Sequence, residues 1–317
     1  MTLLGFPFCM LFLWVLSAGT VSGDDGVALL ELLKSLKPRG GGCVATTWVS
    51  QAISGAVCPS SFCGVSCVGE AVVALDLSGQ GLQGSIPPNS ITMLHSLTSL
   101  NLSNNFLAGE LPNDLGNLSN LEILDLSQNQ FTGFIPISVS ALESLLHLNL
   151  CSNRLHGSLP SEFSSLTTLR SLDLHDNQLT GVLDPAFLGL ASLTTIDLSS
   201  NKLTGFIPWQ PNDALPLLQV VEHVNLSHNQ LSGPLAPEKL ASVFAEKLKV
   251  LDMSHNQLFG NLPAFEFVIA LVSLRLNNNF FTGTVPPTLL SAGLGLLEEL
   301  DLSHNNLSGN YLSFFYF

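Results

Sequence analysis

The sequence predicts an α/β solenoid: a curved stack of short repeats, with a parallel β-sheet on the concave face and a helical cap at the N-terminal end. Three observations carry this. A phrase with aliphatic residues at its first and third places and Asn at its sixth recurs nine times, at Leu100–Asn105, Leu124–Asn129, Leu148–Asn153, Leu172–Asn177, Ile196–Asn201, Val224–Asn229, Leu251–Asn256, Leu274–Asn279 and Leu300–Asn305. A second phrase, Gly-x-aliphatic-Pro, follows most of these, at Gly84, Gly109, Gly133, Gly157, Gly205, Gly260 and Gly283. Ahead of both lies an apolar stretch opened by acidic residues and rich in the spacing of a helix. A fixed period near 24 residues is the mark of a stacked-repeat architecture, in which each unit buries its apolar face only against its neighbours.

Taken in order, residues 1–23 read as a secretory signal. Leu3 to Leu16 is almost wholly apolar and the small residues Val21-Ser22-Gly23 place cleavage before Asp24. That apolar run is short for a membrane span, and nothing later in the sequence approaches ~18 consecutive apolar residues. Residues 24–70 form the cap. Asp24-Asp25 at the start, Lys34 in the last turn and the apolar spacing from Val27 to Leu36 predict a short helix, ended by Pro38-Arg39-Gly40. A cap is needed because the first repeat would otherwise show its apolar end to water.

About ten repeats occupy residues 71–312, and 313–317 is an irregular tail. Each repeat opens with a strand whose aliphatic residues point inward while alternate residues face solvent. The Asn that ends the phrase is predicted to bond loop backbone groups of adjacent turns, forming a ladder; Gln80 replaces it in the first repeat. In the second phrase Gly permits the turn, the aliphatic residue packs inward and Pro holds an extended segment, giving a second line of strands beside the first. The Asn spacing is 24 residues as far as Asn201 and then loosens, with the largest excess in Trp209–Pro216, read as a bulge on the convex side.

The charge balance, 24 Asp plus Glu against 10 Lys plus Arg, disfavours nucleic acid and anionic membrane surfaces as partners. Five cysteines remain after removal of Cys9, and in an oxidising compartment Cys43, Cys58, Cys63 and Cys67 read as disulfide formers. Cys151 replaces the usual Ser of the repeat and is predicted to be an exposed thiol on the concave face. No cofactor or metal is called for, and no catalytic signature occurs.

The period, the pattern LxxLxLSxNxLxGxIP and the Trp48–Cys67 segment resemble the plant-specific class of leucine-rich repeats over residues 24 to about 312. Within that class the chain is similar to the ectodomains of leucine-rich repeat receptor-like kinases. Cys58-Pro59-Ser60-Ser61-Phe62 and Gly64-Val65-Ser66-Cys67 look like the family's Cys-Pro-x-x-Trp-x-Gly-Val/Ile-x-Cys. The runs Ser171–His175 and Val224–Asn229 are similar to a subgroup of inactive receptor kinases. The resemblance implies a right-handed superhelix, a Cys58–Cys67 disulfide and, since Cys43 and Cys63 are extra, a bond between those two. Phe62 stands where the family has Trp. A receptor kinase would continue into a C-terminal cap, a membrane helix and a kinase domain, so the chain reads as truncated before them.

Other residue types have bland explanations. Asp76, Asp125, Asp173, Asp197, Asp252 and Asp301 form a column that could imitate an acid–base pair, but Asn101, Asn149 and Asn225 alternate with them, which marks a stacking role. His147, His175, His223, His228, His255 and His304 are read as strand-exposed, with His223, His228 and His255 the best cluster for a proton switch. Glycosylation sequons lie at Asn101, Asn117, Asn225 and Asn306, of which Asn117 sits outside the strand phrase.

These readings converge on a non-enzymatic extracellular recognition module that captures a peptide or protein, with a possible co-receptor, on its concave face. The membrane would enter only through a segment missing from this sequence. The contact residues are predicted to be Ile123, Leu146, His147, Arg170, His175, Glu222 and His223, where apolar, cationic and acidic groups mix on a preformed surface. The alternative is a secreted enzyme inhibitor similar to the polygalacturonase-inhibiting proteins.

Overall fold

A computed structural model describes residues 24–39, 44, 62–208, 220–235, 247–265, 268–290 and 295–309. Eleven strands form one continuous sheet: Val65–Val68, Ala71–Asp76, Ser99–Asn101, Ile123–Asp125, His147–Asn149, Ser171–Asp173, Thr195–Asp197, His223–Asn225, Val250–Asp252, Ser273–Arg275 and Glu299–Asp301. The first two pair antiparallel and every later pair is parallel and in register, so equivalent residues of successive repeats stand side by side. Parallel neighbours need a crossover, and here the whole remainder of each repeat is that crossover.

A second line of strands runs beside the first, as the Gly-x-aliphatic-Pro phrase predicts. It includes Leu82–Gly84, Phe106–Glu110 and Gln130–Thr132, then His156–Gly157 with Gln178–Leu179, then Thr204–Phe206 through Asn306–Ser308. The helical share of the solenoid is small. The convex side carries single 3₁₀ turns, Leu115–Asn117, Ile137–Ala141, Ser161–Ser165 and Pro185–Gly189, and one short helix, Pro287–Leu290. With two strands and their turns already placed, a 24-residue period leaves room for about one helical turn.

The core is a set of stacked apolar rows. Leu100, Leu124, Leu148, Leu172, Ile196, Val224, Leu251 and Leu274 make one row, and Leu102, Leu126, Leu150, Leu174, Leu198, Leu226, Met253 and Leu276 the next; all are buried. At about 2 kcal/mol per fully buried aliphatic side chain, these rows are the main attraction between repeats. Leu300 and Leu302, the equivalents in the last described repeat, are only partly buried, with a described neighbouring repeat on one side alone.

The predicted ladder is present. In nine successive repeats the Asn side chain reaches two turns at once; Asn153 Oδ1, for example, accepts from Phe131 N–H at 3.0 Å while its Nδ2 donates to Leu126 O at 3.0 Å. The residue before each ladder Asn is left-handed: Asn104, Gln128, Ser152, Asp176, Ser200, His228, His255, Asn278 and His304 all have φ between 50° and 55°.

At the N-terminal end the helix Asp24–Ser35 forms where expected and buries Ala28, Leu29 and Leu32, with Leu36 just beyond it. Asp25 Oδ2 accepts the Val72 N–H at 2.8 Å, tying the helix to the first long strand. Lys37–Pro38, predicted only as a stop, adds an antiparallel strand to Leu82–Gly84. Gly64 is required: it has φ +74°, and a Cβ there would lie 1.9 Å from Asp76 O. Cys63 and Cys67 each take part in a disulfide. The pairings Cys58–Cys67 and Cys43–Cys63 involve residues outside the described ones, as do the signal segment, the Trp209–Pro216 insertion and the tail.

Candidate functional site

The sheet register defines the concave face as columns. Val73, Thr98, Glu122, Leu146, Arg170, Thr194, Glu222, Lys249, Val272 and Glu298 occupy the position two residues before the strand phrase. The next column is Ala74, Ser99, Ile123, His147, Ser171, Thr195, His223, Val250, Ser273 and Glu299, in direct register. Strands about 4.8 Å apart make each column a row of closely spaced side chains.

The predicted contact residues separate into two groups. Ile123, Leu146, His147 and Arg170 stand on three consecutive strands, with Ile123, His147 and Arg170 exposed and Leu146 half-buried. Arg170 makes no ion pair among the described residues. Glu222 and His223 lie two strands further on, across Thr194 and Thr195. Glu222 accepts from Lys249 Nζ at 2.6 Å, and this hydrogen bond, then the ammonium charge, holds its carboxyl below the usual range. Lys249, the exposed partner of Glu222 in the same column, lies just before the strand Val250–Asp252 and was not among the predicted contact residues.

The aspartate column does structural work. Asp125, Asp197 and Asp252 each accept through Oδ1 from the backbone N–H two residues on, at 2.9 to 3.0 Å, and from the Ser hydroxyl at 2.6 to 2.7 Å. Asn101 and Asn225 make the same turn, which explains why the two residue types interchange. Arg275 breaks the column. It donates to Glu299 through Nε at 2.8 Å and Nη2 at 3.0 Å, with Asp252 Oδ2 at 3.6 Å from Nη1. The Ser273 hydroxyl, 2.7 Å from Glu299, and then Arg275 lower the Glu299 carboxyl pKa.

Two expectations need correction. Cys151 is buried, 5% exposed, because its position points under the turn where Ser127, Ser199, Ser227 and Ser254 are buried too. Burial, then the nearby Asp173 charge, pushes its thiol from 9.0 up to about 11. The histidines also sort differently. His147 and His223 are on strands, whereas His228, His255 and His304 occupy the left-handed turn column. His228 and His255 stack with ring centroids 4.0 Å apart and planes 12° apart, and Asn278 Nδ2 lies 3.2 Å from His255 Nε2. His223 is not part of that stack. Desolvation, then the His228 charge, holds His255 below 6.5. His175 is half-buried, with Nδ1 2.7 Å from Asp173 Oδ1.

Among the sequons, Asn117 and Asn306 are exposed, whereas Asn101 and Asn225 are half-buried with side chains bonded to Ser103 and Ser227. No helix among the described residues is long and apolar enough to cross a membrane.

Comparison with known proteins agrees with this geometry. Two leucine-rich repeat profiles match, one at residues 119–179, 143–203 and 167–231, the other at 96–118, 247–266, 270–292 and 296–317, together more than half of the chain. The chain belongs to the leucine-rich repeat family. Its leucine-rich repeats are 37% identical over 116 residues to the LRR receptor-like serine/threonine-protein kinase GHR1 of Arabidopsis thaliana, 36% of this chain and 11% of the relative. The curated relatives are thus far longer than the segment matched. The Arabidopsis receptor kinase HAESA, solved with the peptide hormone IDA and the co-receptor SERK1, superposes with TM-score 0.61 at 29% identity, over 90% of this chain and 54% of that one. A plant ice-binding protein superposes with TM-score 0.75 at 30% identity, over 90% of this chain and 87% of its own. The leucine-rich repeat stack is therefore of the plant receptor-ectodomain type.

Proposed function

We propose that this chain is the extracellular recognition portion of a plant leucine-rich repeat receptor-like kinase or receptor-like protein, and that it holds an extended peptide, or a protein presenting one, against the concave face. The observation that carries the reading is Arg170: an exposed guanidinium without an ion-pair partner among the described residues, beside Ile123, Leu146 and His147 on the two preceding strands. A free guanidinium next to apolar contacts suits a carboxylate carried on an apolar peptide end. HAESA, similar over most of this chain, is seen with a peptide hormone and a co-receptor, which supports the same class of ligand here. Residues 1–23 acting as a secretory signal, and a glycan on exposed Asn117 rather than half-buried Asn101 or Asn225, belong to the same reading.

The test is binding of the secreted chain to a panel of synthetic plant signalling peptides, each with a free and an amidated C-terminus. The reading expects a peptide whose affinity falls at least about tenfold on amidation or on Arg170→Ala, the size of a modest hot spot. Binding indifferent to both changes would refute it.

A second reading is favoured by the near end-to-end superposition on the plant ice-binding protein. Under it a flat row of hydroxyls would meet ice, and the second line of strands offers Thr132, Thr180, Thr204 and Thr282. Ser232 continues that row but His156 and Phe259 interrupt it, so the peptide reading is preferred. Thermal hysteresis by the purified chain would reverse the preference.

A further inference from the structure

Cys151, Asp173 and His175 come from two adjacent repeats. Each offers one ligand atom, and the three atoms lie within 4.8 Å of one another. The thiol is buried, while Asp173 and His175 are half-exposed at the floor of the concave face. In other repeats the turn position of Cys151 and His175 is Ser78, Ser103, Ser127, Ser199, Ser227, Ser254 or Ser303, and in one repeat Asn277. A sulfur donor and an imidazole thus replace serine in the same two neighbouring turns, with a carboxylate between them. Asp125 adds a further negative charge nearby, bridged to Asn149 at 3.3 Å.

We propose that Cys151, Asp173 and His175 form a binding site for a thiophilic divalent transition-metal ion of the zinc class, with three protein ligands and a fourth position open to the concave face. The donor set suits such an ion, which takes thiolate, imidazole and carboxylate in tetrahedral sites. His175 Nδ1 and Asp173 Oδ1 are 2.7 Å apart, and two ligands of one tetrahedral ion sit at roughly 3.3 Å, so a small outward shift admits it. The ion takes the place of the proton shared by this pair. The imidazole stays neutral by carrying its proton on Nε2, and the thiol proton passes to solvent as the sulfur–metal bond forms. Thiolate and carboxylate together balance the double positive charge. This site stands independently of any peptide.

The experiment titrates the tag-free secreted chain with Co²⁺ and reads the thiolate-to-cobalt charge-transfer absorption in the near ultraviolet. One equivalent should saturate the band, and Zn²⁺ should abolish it by displacement. Cys151→Ser should remove the band, and His175→Ser should weaken Co²⁺ binding at least about tenfold. Because serine is the residue most repeats carry at this position, both variants are expected to keep the wild-type far-ultraviolet circular dichroism. Absence of the band at millimolar-order Co²⁺, or a band that survives Cys151→Ser, would overturn the site.

Discussion

Replacing Asn201 by Ala tests the energetic role of the asparagine ladder. Asn201 is buried. Its Oδ1 accepts the Leu179 N–H at 2.9 Å, and its Nδ2 donates to Leu174 O, Leu198 O and Ser199 O at 3.0, 3.2 and 3.1 Å. The three carbonyls keep other donors after truncation: Asn177 Nδ2 on Leu174 O, Asn229 Nδ2 on Leu198 O and the Asp176 N–H on Ser199 O. The Leu179 N–H keeps none among the described residues and lies where water is excluded. An orphaned buried donor costs about 1–3 kcal/mol, and thinning the shared carbonyl bonds adds of order 1 kcal/mol. Asn201→Ala should therefore destabilise the solenoid by about 3 kcal/mol. Asn305 is the internal control. It serves Phe281 N–H at 3.0 Å with the same geometry but is only half-buried, so water can replace part of what it supplies, and Asn305→Ala should cost about 1 kcal/mol. Urea unfolding followed by far-ultraviolet circular dichroism, with linear extrapolation, measures both. Equal costs for the two variants, or an Asn201→Ala loss below about 0.5 kcal/mol, would refute the ladder's energetic role.

Three further outcomes follow from the same geometry. Cys151, with its thiol raised to about 11, should resist iodoacetamide at neutral pH in the native chain and react readily once unfolded; intact-mass measurement of rapid native labelling would contradict its burial. His255 is a base with a lowered folded pKa, so the unfolded chain takes up its proton first: the stability it contributes is full above 6.5 and declines as pH falls from 6.5 towards the folded value. NMR titration should find its midpoint below 6.5 and moved upward by His228→Ala, and a midpoint at or above 6.5 would contradict the stack. Gly157 has φ +84° with Phe134 Cδ1 2.3 Å from a Cβ built there, so Gly157→Ala should cost about 1–2 kcal/mol in chemical unfolding, part of it recovered by adding Phe134→Ala.

The repeat made the architecture legible because one physical requirement is written nine times. Leucines in the strand phrase must be buried and the terminal Asn must bond two turns; no other use of those residues survives so many copies. What escaped were features outside strand alternation. His228 and His255 belong to a turn column whose left-handed backbone sets their side chains stacking, and counting strand positions could not place them there. The burial of Cys151 did have a signal. Serine dominates its position in other repeats, and a small hydroxyl repeated that consistently marks a confined site beneath a turn, bonded to the preceding Asp or Asn. Arg275 was missed because the column it interrupts was read as aspartates alternating with asparagines.

A scaffold built from copies also narrows where selectivity resides. Residues that recur through the repeats are committed to holding the stack: the aspartates or asparagines of the strand column cap turns, the ladder asparagines bridge them, and the leucines fill the core. Selective contacts must come from the columns that vary, and from members of those columns not already neutralised by each other. Glu222 with Lys249, and Arg275 with Glu299, satisfy one another across neighbouring strands, so a ligand would have to displace an existing partner to use them. Arg170 carries no such partner among the described residues and has Leu146 and Ile123 on the strands before it. Desolvating an unpaired cation is worthwhile only against an anion supplied from outside, so the proposed peptide contact would draw its selectivity from Ile123, Leu146 and Arg170, not from the self-paired charges towards the C-terminal repeats.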